Sequence, residues 1–192
     1  SNEKLAEIIK KTHARGGKII IPSFALERAQ EIVYALKMLE LDNAIPHMPV
    51  YVDSPMTVSI TEVFRRHSEC FDAEMHKMIE KVGDPFTLSN IRYIRDVMES
   101  MHLNSLREPC IIISAAGMCE HGRILHHLAN NCEDPKNTIL IVGFQAKNTL
   151  GRRIVERERQ LHIFGSKYRL NAEVRIMNSF SAHAGRSELI EF

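Results

Sequence analysis

Several absences narrow the function of this chain at the outset. Net charge is nearly missing: 25 lysines and arginines face 24 aspartates and glutamates among 192 residues, a formal balance of +1. That excludes a protein that gathers nucleic acid through bulk basicity, so any polyanion contact has to come from a local cluster. Cysteine is scarce, with only Cys70, Cys110, Cys119 and Cys132 and no CxxC pair. The pattern excludes a disulfide framework and implies a reducing, cytoplasmic compartment. No apolar run approaches the roughly 18 residues of a membrane span. No GxGxxG follows the first strand pattern and no GxxxxGK[ST] occurs anywhere, which counts against a nucleotide-binding Rossmann enzyme. Internal repeats and low-complexity segments are absent too.

What is present is an ordinary core-forming composition, 44% hydrophobic and 26% charged, enough for one soluble domain. Helical spacing runs from Lys4 to Ala14 and is ended by Gly16-Gly17. Lys18–Ile21 is a short apolar run closed by Pro22, which reads as a buried parallel strand. Ser23 then reads as the N-cap of a helix from about Ala25 to Leu41. Val50–Val52, Ile91–Ile94, Pro109–Ile113 and Asn137–Val142 read as further strands. Met56–Arg66, Ala73–Val82, Val97–Leu106, Arg123–Asn131 and Thr149–Val155 read as helices. Leu161–Phe164 and Tyr168–Met177 read as a β pair joined through Gly165-Ser-Lys. The alternation predicts an α/β fold, a Rossmann-like three-layer domain with a mainly parallel doubly wound sheet.

Ligands of such sheets bind beyond the carboxyl ends of the strands. The residues expected there are Ser23 and Arg28 after the first strand, and Asp53 and Ser54 after the second. Ser114, Gly117, Met118 and Arg123 follow the next, then Gly143, Gln145 and Lys147. Ser181 and His183 follow the last strand pattern, in Asn178-Ser-Phe-Ser-Ala-His-Ala-Gly-Arg186. Hydroxyls, glycines and guanidiniums at helix starts suit phosphate. Each residue also has a plainer reading: Ser23 and Ser54 as helix caps, Gly117 and Gly143 as turn glycines, Asp53 as a cap or a metal ligand. His126-His127 invites a metal reading, but neighbouring side chains on a helix diverge by about 100°, so the pair is a poor chelate. Arg152, Arg153, Arg157 and Arg159, broken by Glu156 and Glu158, read as a solvated helix face.

Four ordered motifs carry a resemblance: Ile21-Pro-Ser-Phe-Ala-Leu-Glu-Arg-Ala-Gln-Glu31, Tyr51-Val-Asp-Ser-Pro55, Ser114-Ala-Ala-Gly-Met118 and Phe180-Ser-Ala-His183. Together they resemble the β-CASP domain of the metallo-β-lactamase-type RNA-processing nucleases. The Cys119–Leu128 stretch is most similar to the bacterial branch. The resemblance implies a cap, inserted into a metallo-β-lactamase domain, that closes over an RNA-cleaving site with two zinc ions. Most metal ligands would lie in that other domain, in a His-x-His-x-Asp-His run this chain lacks, so no metal ligand is expected here. His183 matches the family's motif B histidine and is implied to be catalytic. Ser23, Arg28, Ser114, Gly117, Met118, Arg123, Gly143 and Ser181 are implied to face RNA. Relatives often have glycine where this chain has Glu27.

The chain starts at Ser1, without methionine, inside a helical pattern, and stops at Phe192 just after the His183 turn. It is therefore expected to be a β-CASP domain, residues 1–192, excised from a longer protein. Alone it is expected to fold with its ends close together, and to be inactive as a nuclease. Its expected partners are RNA and the lactamase domain of the same chain, with homodimerisation possible and no membrane. A non-catalytic RNA-binding module in an RNA-processing complex is the alternative.

Overall fold

The computed structural model describes residues 2–178; Ser181 and His183 lie outside the described residues. The chain runs through α1 (Asn2–Ala14), β1 (Ile19–Pro22), α2 (Arg28–Leu41), β2 (Val50–Asp53), α3 (Pro55–Arg66), α4 (Ala73–Val82) and β3 (Ile91–Ile94). It continues with α5 (Val97–Leu103), β4 (Ile111–Ser114), α6 (Arg123–Asn131), β5 (Thr138–Val142), α7 (Leu150–Val155), β6 (Gln160–Ile163), β7 (Ser166–Arg169) and β8 (Glu173–Met177). Among the described residues, six strands form one parallel sheet in the order β3-β2-β4-β1-β5-β8. The α/β three-layer class read from the sequence is what the chain adopts.

The β pair over Leu161–Met177 differs from expectation. β6 pairs antiparallel with β7 alone, Leu161 opposite Tyr168, and β8 joins the main sheet parallel to β5. Between them the chain is redirected: Leu170 N–H donates to Arg159 O, and Asn171 and Ala172 N–H both donate to Cys132 O. One apolar-polar alternation therefore covers two strands in different sheets.

The sheet's two faces follow from the period-2 side-chain alternation of its strands. Ile19, Ile21, Val50, Val52, Ile111, Ile113, Leu140 and Val142 face one layer, where α1 supplies Leu5, Ile8 and Ile9 and α2 supplies Ile32, Val33, Leu36 and Leu39. Ile20, Ile112, Ile139 and Ile141 face the other, against Ile124 and Leu128 of α6, Ile154 of α7 and Leu161 and Ile163 of β6. Each such buried aliphatic side chain contributes about 1.5–3 kcal/mol relative to exposure. The two layers also decide where a ligand can enter. The connection after β1 runs through α2 on one face, and that after the adjacent β4 runs through α6 on the other. Loops leaving neighbouring strands in opposite directions open a crevice at their carboxyl ends.

Helix starts follow local chemistry. Ser54 accepts from Thr57 N–H at 3.2 Å with Pro55 in the first turn, Asp72 accepts from Met75 N–H, Asp96 from Glu99 N–H, and Thr149 from Arg152 N–H. The exception is α2. It begins at Arg28, not near Ala25, because Glu27 has φ 62 and ψ −60, outside helical backbone, and makes no side-chain cap. Ser23 is not its cap; its hydroxyl donates to Phe24 O at 3.2 Å. No helix of the described residues is long and apolar enough to cross a membrane.

Candidate functional site

The carboxyl edge of the sheet splits into two differently built halves. At the β2–β4 half, Asp53 ends β2 fully buried. Its Oδ1 accepts from Arg123 Nη1 at 2.7 Å, and its Oδ2 from His127 Nε2 at 2.6 Å and Ser100 Oγ at 2.5 Å. Arg123 Nη2 reaches Arg95 O at 2.6 Å, and Ser114 Oγ donates to Asp53 O at 2.8 Å. His127 Nδ1 lies 2.8 Å from Asn104 Oδ1, and Asn131 and Asn137 extend the network to Lys18 N–H. Burial pushes the Asp53 carboxyl up, but hydrogen bonds from His127, Ser100 and Arg123 outweigh it and hold the group below the usual aspartate range.

This arrangement answers two alternatives left open by the sequence. Asp53 does not cap α3; Ser54 does. Both its carboxylate oxygens are occupied by donors, and among the described residues no cluster of three or more His, Cys, Asp or Glu side chains could hold a metal ion. His126 and His127 diverge as helix geometry demands: His127 is buried on Asp53, whereas exposed His126 lies against Phe164, ring centroids 4.6 Å apart and planes tilted by 38°.

The β1–β5 half is built from the loops after β1 and β5, which meet the Ser114–Met118 loop. Ser23 N–H donates to Ser114 O at 3.0 Å, tying the loops of adjacent strands together. Gly117 packs under Phe24 so closely that a Cβ there would stand 3.0 Å from the ring. Gln145 Nε2 donates to Gly117 O at 3.1 Å. Gly151 N–H donates to Met118 O, and Leu150 N–H to Glu120 Oε1. A Cβ at Gly151 would fall 1.7 Å from Gln145 Oε1, so any larger residue there requires the Gln145 amide to move. Gly143, φ 105, has open space where a Cβ would be.

Polar satisfaction separates the halves. Among the described residues, the buried side-chain nitrogen and oxygen atoms without a hydrogen-bond partner are Arg28 Nε, Gln30 Oε1 and Gln145 Oε1. All three belong to the loops and helix start after β1 and β5. Arg28 is buried and pairs through Nη1 with Glu31. The loops after β1 and β5 also carry exposed apolar side chains, Phe24 at 42%, Leu26 at 57% and Phe144 at 61%, and exposed Lys147.

Of the residues expected at the edge, Ser23, Arg28, Gly117, Met118 and Gly143 gather at the β1–β5 half. Ser114 bridges the halves, with its hydroxyl turned to Asp53 and its carbonyl to Ser23. Arg123 sits in the other half, its guanidinium engaged by Asp53 and Arg95 O. Sequence reasoning weighed His127 only as half of a poor chelate and passed over Gln30; a buried helix face carrying a histidine opposite a strand-end aspartate was the available signal for the first.

The buried thiols are not poised for chemistry. Burial pushes Cys110 and Cys132 up to about 11, and Cys119 higher still.

Comparison with known proteins adds to this geometry. The Beta-Casp domain family matches residues 29–154, more than half of the chain. The chain is 36% identical over 186 residues to Ribonuclease TTHA0252 of Thermus thermophilus, covering 97% of this chain and 43% of that protein. It is 32% identical over 189 residues to an RNase J-like protein of Methanocaldococcus jannaschii, covering 98% and 42%. Against Transcription termination factor FttA of Methanosarcina mazei it is 30% identical over 198 residues, covering 100% and 31%. The chain thus spans less than half the length of these relatives.

Proposed function

The chain belongs to the Beta-Casp family, within the metallo-β-lactamase/β-CASP RNA-processing nucleases, and on that premise we propose that it is the RNA-binding cap of a zinc-dependent ribonuclease that hydrolyses phosphodiester bonds. The observation that carries the reading is the 186-residue similarity to a protein named ribonuclease. The β1–β5 half of the sheet edge supports it. Arg28 Nε is a buried donor without a partner among the described residues, a group that an incoming phosphate oxygen would satisfy. Phe24 and Phe144 stand exposed on loops of neighbouring strands, where unstacked bases can lie against their faces.

In this reading the two zinc ions belong to the lactamase domain of the same chain. Zinc supplies the activated hydroxide when bound. The chain's own residues do three things. Arg28, Gly143 and the Ser114–Met118 loop hold the RNA backbone; exposed rings hold bases and exclude water; and His183 donates a proton or hydrogen bond to an oxygen of the scissile phosphate. Ser181 sits two residues before it as a further phosphate partner. The 192-residue chain by itself binds RNA and does not cut it.

The test is single-turnover RNA cleavage by the whole protein carrying His183→Ala, beside a melting curve and a zinc assay. The expected result is a loss of roughly 10²–10⁴-fold in rate with zinc content and melting temperature kept. Unchanged cleavage, or a melting shift large enough to account for the loss, would sink the catalytic role. A second reading, a non-catalytic RNA-binding module, is favoured by relatives named transcription termination factor, which match 100% of the chain. Its signature is RNA binding without cleavage by the wild-type whole protein loaded with zinc.

A further inference from the structure

A pocket of about 250 Å³ opens beside the start of α2, lined by Glu27, Gln30, Glu31, Tyr34, Phe64, Phe71, Met75 and Phe86. Three features set it apart. Its walls are aromatic: Phe64 and Phe71 each meet Phe86 edge-on, with centroids 6.2 Å and 6.4 Å apart. Gln30, 5% exposed, is one of the lining residues; its Nε2 is engaged by Thr61 Oγ1 and Ala25 O, and its buried Oε1 accepts no hydrogen bond among the described residues. At the mouth stands Glu27, held at φ 62, a backbone conformation in which a side chain is disfavoured and glycine is at home. Glu31 is neutralised by Arg28, whereas Glu27 makes no ion pair among the described residues. Folding gains nothing visible from an exposed acid at a left-handed position or from a buried amide oxygen left unpaired.

Besides Gln30, the polar side chains of the lining are the Glu27 and Glu31 carboxylates, which accept, and the Tyr34 hydroxyl. Aromatic walls suit a flat ring, and acceptors suit a ring whose edge donates. We propose that this pocket takes a nucleobase bearing an exocyclic amine, guanine best, because guanine N1–H and N2–H donate side by side to the Glu27 carboxylate, which has no ion-pair partner among the described residues. Uracil, whose single imide N–H is flanked by two carbonyl oxygens, would meet repulsion there. The inference rests on the RNA-binding reading above: the pocket shares the Glu27–Glu31 turn with Arg28, so a strand whose phosphate reaches Arg28 can place a base in it.

The experiment is an NMR titration of the 192-residue chain with guanosine, adenosine, cytidine and uridine, which carry no phosphate and so test the pocket apart from backbone binding. Guanosine is expected to shift resonances of Glu27–Tyr34, Phe71 and Phe86 and to bind about tenfold more tightly than uridine. Glu27→Gly should weaken guanosine about tenfold, leave uridine unchanged, and raise the melting temperature, which separates lost recognition from lost folding. Phe71→Ala should weaken all four. Equal affinities, or guanosine binding untouched by Glu27→Gly, overturn the proposal. If a single-stranded RNA oligomer binds the chain while no nucleoside enters the pocket, the pocket fails and the RNA-binding reading stands. If no oligomer binds, that reading itself fails.

Discussion

The two halves of the sheet's carboxyl edge are made of similar residues and are finished in opposite ways. Each has an arginine near a helix start, serines at strand ends and a side-chain amide. At the β2–β4 half, Asp53, Arg123, His127, Ser100 and Asn104 form a buried network in which both oxygens of the carboxylate are engaged. At the β1–β5 half, Arg28, Gln30 and Gln145 each keep a buried atom unpaired among the described residues, and Phe24, Leu26 and Phe144 face solvent. A buried polar group without a partner costs about 1–3 kcal/mol, so the difference is energetic as well as geometric. The lesson is that strand-end polar residues divide into those that hold the edge and those the edge presents. Substitutions should sort the same way, stability on one side and binding on the other.

The largest effect is expected at Asp53. Asp53→Ala leaves Arg123 and His127 without their carboxylate and should destabilise the fold by about 3–5 kcal/mol, read by denaturant unfolding. RNA affinity of the folded fraction should stay the same; a weakened affinity would blur the division. The pH dependence follows from the depressed Asp53 pKa. The folded state binds the proton more weakly than the unfolded one, so this stabilisation is complete above about pH 4, the ordinary aspartate value. It is lost as pH falls through the lower folded value. The stability gap between wild type and Asp53→Asn should therefore close in acid; a gap that widened there would contradict the network.

Next comes Gly151→Ala. Its Cβ displaces the Gln145 amide and should destabilise the chain by about 1–3 kcal/mol. Because Gln145 anchors the β5 loop to Gly117, this variant should also weaken RNA binding, which Asp53→Ala should not. Phe144→Ala sharpens the contrast from the other side. The ring is largely exposed, so stability should move by less than about 0.5 kcal/mol, while RNA affinity falls about tenfold by loss of one stacked base. Glu27→Gly alone runs the other way: it relieves the positive φ and should stabilise by about 1 kcal/mol.

Much of the fold was legible because strands β1, β4 and β5 are continuous isoleucine-rich runs, and buried parallel strands read that way. The helices announced themselves through caps such as Ser54 and Thr149. The boundary of α2 did not, since a glutamate at φ 62 has no sequence signature. The split of the last strand pattern was hidden because Leu170 and Ala172 continue an alternation that the Cys132 carbonyl interrupts in three dimensions. For the site, the sequence located the edge through Ser23, Ser114 and Gly143, but the division of that edge depends on which atoms find partners. Arg28 and Arg123 are indistinguishable on paper; Arg123 has Asp53 as its partner, and Arg28 keeps an Nε unpaired among the described residues. The roles of Ser181 and His183 lie outside the described residues.

The division itself is tested most directly by mapping backbone amide shifts of the 192-residue chain on titration with a short single-stranded RNA. The expected map shows perturbation over residues 23–31 and 143–147, the loops after β1 and β5, with Asp53 and residues 123–127 unmoved. Perturbation centred on Asp53, Arg123 and His127, with the β1 and β5 loops silent, would contradict the account.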